Sequence, residues 1–228
     1  MKDLTEIIGE VIDNINLTLN VESIVGNKIF LCETLHLTVL KIVEDSVGNQ
    51  YKIIDFLNDE WIEVEPIGAS PDPFDDSVVI CPSITYLYGT PSSVNNEYVD
   101  LDAETRKKTP FIWLLENYDE EFFGAESSIE RNSSIRCFFM DETDEVKWTN
   151  SEHHRLVIQP MQNLTDAFVS SIKSDPLFKT FSTYSQKPRV RFGVYVENKG
   201  NESKIFDEDL SGCELKGNFE RYKCSKKC

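Results

Sequence analysis

Apolar residues at Leu4, Ile7, Ile8, Val11, Ile12 and Ile15 recur at three-and-four spacing, with acids and amides between them. That period predicts a helix over residues 4–16 that buries one face. Asp3 stands at its N-cap and Glu6 follows three residues on, the pattern of a capping box. From Leu17 the period falls to two. Leu17, Leu19 and Val21 alternate with polar residues, Gly26-Asn27 makes a turn, and Ile29 and Leu31 resume the alternation. Leu35, Leu37 and Val39 carry it on to Gly48-Asn49, followed by Tyr51-Lys52-Ile53-Ile54-Asp55-Phe56, a turn at Asn58-Asp59, and Trp61-Ile62-Glu63-Val64. Five short strands with tight turns predict an antiparallel meander over residues 17–67, and barrel-like closure would protect its edges. Pro66, Gly68, Pro71 and Pro73, with Asp72, Asp75 and Asp76, end the periodicity, so residues 68–76 read as a linker.

Beyond residue 77, Val78-Val79-Ile80-Cys81 and Ile84-Thr85-Tyr86-Leu87-Tyr88 read as extended, and Gly89-Thr90-Pro91 turns the chain. A short helix is expected near residues 94–101. Phe111-Ile112-Trp113-Leu114-Leu115 is apolar throughout, which predicts a strand covered on both faces, and Ile135-Arg136-Cys137-Phe138-Phe139-Met140 predicts a second. The acidic residues 116–132 between them read as a long loop. Arg155-Leu156-Val157-Ile158-Gln159 leads into Pro160, whose missing N–H suits a first helical turn, and Met161, Leu164, Phe168, Val169 and Ile172 then share one helical face. Residues 190–196 alternate as a strand, a turn follows at Lys199-Gly200-Asn201, and residues 213–222 alternate again.

Helices and strands are segregated, with no βαβ repeat. The class is therefore α+β: a mainly antiparallel sheet flanked by two helices, with a small all-β, barrel-like meander inserted near the N-terminus. The expected division is a helix, residues 1–16, packing on the C-terminal domain; the inserted meander, 17–67; the linker, 68–76; an α+β domain, 77–222; and a basic tail, 223–228.

Composition narrows the function. Of 228 residues 40% are apolar, including 14 Phe, 8 Tyr and 3 Trp, which is bulk enough to offset chain entropy and excludes wholesale disorder. Forty acids against 23 Lys and Arg give a net charge of -17. Such a chain is a poor general polyanion binder, because phosphate neutralisation by Lys and Arg supplies most non-specific nucleic-acid affinity. The imbalance is uneven: residues 1–76 hold 16 acids and 4 bases, and residues 77–228 hold 24 and 19. An acidic meander beside a nearly balanced domain suits a surface that must not adhere to DNA, and it equally suits plain solubility.

The opening residues lack the basic head and apolar core of a signal peptide. No apolar run approaches the roughly 20 residues that span a bilayer. A soluble chain made in a cytosol, with no membrane partner, is expected. None of the six cysteines forms a Cys-x-x-Cys pair. Cys32, Cys81 and Cys137 lie in apolar runs and are expected to fill core, whereas Cys224 and Cys228 sit among lysines as exposed thiols. Sequons at Asn16, Asn132, Asn163 and Asn201 carry no weight in a cytosolic chain.

Signatures of serine and cysteine nucleophiles, of Walker A loops and of Gly-x-Gly-x-x-Gly turns are absent. His36 falls in an alternating segment and is expected to face solvent. His153-His154 is the one suggestive pair, with Glu152 alongside and Asp141, Glu142, Asp144 and Glu145 upstream. Neighbouring side chains of an extended segment point to opposite faces, so the two imidazoles would not share one ion. Acid clusters at 72–76, 116–121, 141–145 and 207–209 lack calcium-loop spacing and read as solvated loops. Aromatic residues lie inside strands and apart from Lys and Arg, which argues against a single-strand nucleic-acid platform. No catalytic, metal-ligating or cofactor-binding residue is assigned, and no cofactor is expected.

One larger pattern stands out in the second part of the chain. Ser83-Ile84-Thr85-Tyr86-Leu87-Tyr88-Gly89-Thr90-Pro91 precedes a polar stretch and Lys108-Thr109-Pro110-Phe111-Ile112-Trp113-Leu114-Leu115-Glu116. The cysteine-bearing strand 135–140 follows, then Gln159-Pro160-Met161-Gln162-Asn163-Leu164 opening an amphipathic helix, and a last hairpin around Arg191-Phe192-Gly193. With the helix 4–16, this order resembles tailed-bacteriophage neck proteins of the tail-completion or tail-terminator type, as in crAss-like phages of gut Bacteroidales. The resemblance implies a sheet flanked by two helices and a homo-oligomeric ring, six- or twelve-fold, around the DNA channel where capsid and tail meet. It implies a virion location, with portal, neck and tail proteins as partners and DNA passing without specific binding. It carries over no catalytic residue. The meander 17–67 departs from the pattern of the shorter family members.

Two other classes remain open at this stage. An acidic interaction or DNA-mimic protein that inhibits a nucleic-acid enzyme would need carboxylates at duplex-like spacing. A metal-dependent hydrolase would use His153, His154 and nearby carboxylates, and would carry bound metal.

Overall fold

The computed structural model describes residues 3–101, 108–115, 119–123, 130–143, 147–196, 202–204, 206 and 208–221. Helix α1 (Leu4–Asp13) begins with the expected capping box: the Leu4 amide donates to the Asp3 carboxylate at 2.7 Å, and the Asp3 amide donates to Glu6 at 3.2 Å. Its buried face is Leu4, Ile7, Ile8, Val11 and Ile12. Strands β1 (Thr18–Val25), β2 (Lys28–Leu31), β3 (Ile42–Glu44), β4 (Gln50–Leu57), β5 (Trp61–Pro66) and β6 (Val78–Ile80) close a barrel in the order β1-β2-β5-β4-β3-β6. Leu19, Ile29, Val43, Tyr51, Ile53, Phe56, Ile62, Val64 and Val79 are buried within it. Closure removes the free edges that a small sheet would otherwise present.

Three sequence expectations are corrected in this region. The barrel needs β6, which pairs with β1 and β3, so it extends past the boundary expected at residue 77. Residues 68–76 are part of the barrel's packing: the Phe74 ring is buried and meets Tyr51 edge-on at 4.9 Å. Residues 35–39, expected as a strand, are not one. Thr34, Leu35, His36, Leu37 and Thr38 are all buried, so a segment covered on both sides produced the alternation. Leu35 and Leu40 at its ends have positive φ of 44° and 70°.

The chain continues through β7 (Thr85–Gly89), α2 (Pro91–Asp100), β8 (Phe111–Leu115), β9 (Asp119–Phe123) and β10 (Glu130–Glu142). Next come α3 (Asn150–His153), a π-helical turn (His154–Ile158), α4 (Gln159–Ser174), β11 (Phe178–Phe192), β12 (Val194–Val196), β13 (Glu202–Lys204) and β14 (Leu210–Arg221). The second sheet runs β11-β14-β10-β8-β7, with β9 on the first half of β10, while β12 and β13 form a separate hairpin. All pairs in it are antiparallel except β7 with β8, which α2 joins. The class is α+β with mainly antiparallel sheet and a closed six-stranded barrel.

Residues 116–132 were expected as a loop, but β9 occupies part of them, its acids offset by cross-strand cations such as Arg131, 3.8 Å from Glu120. The helix expected from Pro160 starts earlier. Leu156, Val157 and Ile158 are all buried in the π turn, and three apolar neighbours in a row disguise a helical segment. β11 begins twelve residues before the strand expected at 190, and ends before Gly193.

Helices α1 and α4 cover one face of the sheet, with Ile135, Cys137, Phe139, Cys213, Leu215 and Phe219 beneath them. That core is continuous with the barrel interior. The opposite face carries a second core of Leu87, Phe111, Trp113, Phe138, Met140 and Leu210 under Val94 and Tyr98 of α2. Gly212 allows close approach of β14 to β10, since a β-carbon there would overlap the Phe139 carbonyl oxygen.

Candidate functional site

Strand side chains alternate between faces, and Cys213 and Leu215 point toward α4. Glu214 and Lys216 therefore face the other way. Register places Lys187 of β11 opposite Glu214, Arg136 of β10 opposite Lys216, and Arg189 opposite Gly212. Four cations thus surround one carboxylate whose side chain is only 1% exposed. Arg189 Nε donates to Glu214 Oε2 at 2.6 Å, Arg136 Nε donates to Oε1, and Lys216 Nζ lies 3.4 Å from Oε1. Burial pushes the Glu214 carboxyl up, but the hydrogen bonds from Arg136 and Arg189 outweigh it and hold the group below the usual range. A buried carboxylate with two guanidinium partners is a rigid anchor, and it fixes how the arginines present their outer edges. Arg136 also lies over the Phe138 ring at 5.0 Å, joining this basic strip to the aromatic core of Trp113, Phe138 and Phe192.

A second polar cluster fastens the barrel to the sheet. Lys41 Nζ donates to Asp141 Oδ1 at 2.8 Å, to the Thr109 carbonyl at 3.0 Å and to Thr109 Oγ1 at 3.2 Å. Asp141 is almost fully buried, and among the described residues its Oδ2 has no hydrogen-bond partner. Beside it a cleft of about 770 Å³ is lined by Lys41, Lys108, Asp141, Glu142, Trp148 and Glu208. Burial, a hydrogen bond to Glu208 and the charges of Glu208 and Asp141 push the Glu142 carboxyl up to about 7, against the opposing pull of Lys41. Glu208 also accepts from the Tyr98 hydroxyl at 3.1 Å. Sequence reading treated 141–145 and 207–209 as separate solvated loops, whereas Glu142 and Glu208 meet in this seam. Asp144, Glu145 and Asp207 lie outside the described residues.

His36 is also corrected. It is buried, with Nε2 3.0 Å from the Pro82 carbonyl oxygen, and burial together with Lys41 lowers its pKa to about 4. His153 and His154 occupy helical positions: His153 is buried with Nδ1 2.7 Å from Thr143 Oγ1, and His154 is exposed. Among the described residues no three His, Cys, Asp or Glu side chains converge as a metal site would require. Cys81 and Cys137 are buried as expected, but Cys32 is exposed, its Sγ 2.8 Å from Glu22. Cys224 and Cys228 lie outside the described residues. Among the described residues no helix is long and apolar enough to cross a membrane.

The barrel adds a compact acidic knob. Asp45 accepts from the amides of Val47 and Asn49, and Asp76 accepts from that of Ser46 at 2.7 Å. Hydrogen bonds from Ser46 lower the Asp76 carboxyl to about 2. Asp72 and Asp75 extend into solvent on either side of the buried Phe74. Residue spacing alone exposed neither the strip nor the seam, because Arg136, Arg189 and Glu214 are brought together only by the register of three strands. The alternation Cys213-Glu214-Leu215-Lys216 was the available signal that charge lay on the far face. No protein-family model matches the chain, and no curated protein matches it.

Proposed function

We propose that this chain is a structural, non-enzymatic subunit of a ring in the neck or tail of a tailed-phage virion, joining capsid portal and tail and forming part of the DNA channel. The order of elements that resembles tail-completion and tail-terminator proteins suggests the setting. The observation that carries the assembly part of the reading is β11. This strand of fifteen residues forms one edge of the sheet, and most of its described side chains are exposed. An open edge is a template for association. Here Lys187, Pro188 and Arg189 make it selective, because indiscriminate strand addition is disfavoured by charge and by the missing proline N–H. Repetition of a chain with net charge -17 around an axis would also give a conduit that disfavours phosphate contacts.

Negative-stain electron microscopy of the purified chain tests this reading. The expected particles are closed rings with a central opening that admits a duplex. Isolated globular particles at every concentration, with no rings, would overturn it.

A further inference from the structure

The ring reading leaves open which surfaces meet, and the charge distribution supplies a pair. On the sheet face turned away from α1 and α4, Arg136, Lys187, Arg189 and Lys216 surround a single buried carboxylate. This is a concentrated positive surface on a strongly acidic chain. On the barrel, Asp45, Asp72, Asp75 and Asp76 cluster closely enough that all four raise the pKa of the neighbouring Tyr51, alongside the larger effect of burial. Both surfaces are stiff. Glu214 holds the arginines of the strip, and the buried Phe74 with the Asp76–Ser46 hydrogen bond holds the loop that carries Asp72 and Asp75.

The two surfaces do not satisfy one another within a copy. Among the described residues Arg136, Arg189 and Lys216 pair with Glu214, Lys187 lies opposite it in register, and none of the four pairs with a knob aspartate. The strip belongs to the β11 side of the sheet, and the knob belongs to the barrel. Resting on the ring reading, we infer that the basic strip of one copy docks on the acidic knob of the next. This is a heterologous, head-to-tail contact, the kind that closes into a ring when the rotation between copies allows. The charges match: the four cations less the one carboxylate they enclose leave three, against Asp72, Asp75 and Asp76, which reach solvent while Asp45 is buried. At physiological salt the Debye length is about 8 Å, so this local match acts at contact while the repulsion between two acidic chains is screened.

A nucleic-acid backbone fits the strip less well. Non-specific affinity comes from phosphate neutralisation, and the strip's four cations are already neutralised in part by a buried carboxylate on a chain of net charge -17.

Charge reversal with mixing is the test, read by mass photometry. Lys187→Glu with Lys216→Glu alters the strip while leaving both arginines on Glu214. Asp72→Lys with Asp75→Lys alters the knob while leaving the two aspartates that bond backbone amides. Each pair weakens self-association by roughly tenfold or more, as lost interfacial charge pairs do. An equimolar mixture of the two variants regains assembly, since the two native faces meet in one contact and the two reversed faces are complementary in the other. The chain carrying all four reversals regains assembly. Circular dichroism confirms that each variant is folded, and a misfolded variant is replaced by the neutral Gln or Asn equivalents, which lose assembly in the same way.

Folded variants that form rings as readily as the parent would overturn this interface and leave the ring reading standing. A parent chain that is monomeric at all concentrations would remove both. Binding of a fluorescent 30-base-pair duplex at physiological salt, lost on reversal of the strip alone, would assign the strip to nucleic acid and overturn the docking proposal.

Discussion

Glu142 is held in the folded chain with its proton far more firmly than a free glutamate holds one. Its carboxyl rises from an ordinary value of 4.5 to about 7, chiefly through burial and the neighbouring Glu208. The folded state therefore binds more protons than the unfolded state between those values, and stability from this group falls as pH rises from about 4.5 to about 7. His36 works in the opposite sense. Its pKa drops from 6.5 to about 4, so the unfolded chain takes up the extra proton, and stability from His36 falls as pH drops through that window. The two slopes offset each other over much of the range. Glu142→Gln removes one of them, so the melting temperature of the variant relative to the parent should climb steadily from pH 4.5 to pH 7 in a thermal scan; a flat difference would contradict the placement of Glu142. These two residues also show the limit of sequence at this scale. His36 sits between Leu35 and Leu37 and looks like an outward position, yet both faces of that segment are covered. Cys32 follows Leu31 in an apolar run and is exposed instead, because the strand ends at Leu31.

At the scale of elements, what is legible depends on how one-sided the burial is. Helix α1 has one apolar stripe and a capping box, so its start and period are readable from Asp3, Glu6 and the isoleucines. β8 reads as a strand because both its faces are covered. β11 is hidden for the opposite reason: as an edge strand rich in Lys, Ser, Thr and Gln it has little apolar alternation to display. The π turn is hidden because three adjacent buried residues fit neither period. The loop before β6 is the instructive case, since its prolines and acids mark a break while Phe74 makes it part of the barrel. Phe74→Ala should lower stability by about 3 kcal/mol, as loss of a buried phenyl ring does. Urea unfolding followed by tryptophan fluorescence measures this, and an unchanged midpoint would mean that the ring does not hold the loop.

The whole molecule combines a main core that joins the barrel, α1, α4 and one face of the sheet, a second core under α2, and a surface whose charge is sorted by region. The sequence reveals the acidic bias of residues 1–76, but not the basic strip, because its members are separated by up to 80 residues and meet only through strand register. The account as a whole rests on the claim that this chain acts by assembling. Sedimentation velocity of the unmodified protein across a wide concentration range tests it most directly. The account predicts a discrete large species at an integer multiple of the 26.2 kDa chain mass, growing with concentration and dissociating as salt is raised. A single 26.2 kDa species throughout would contradict it.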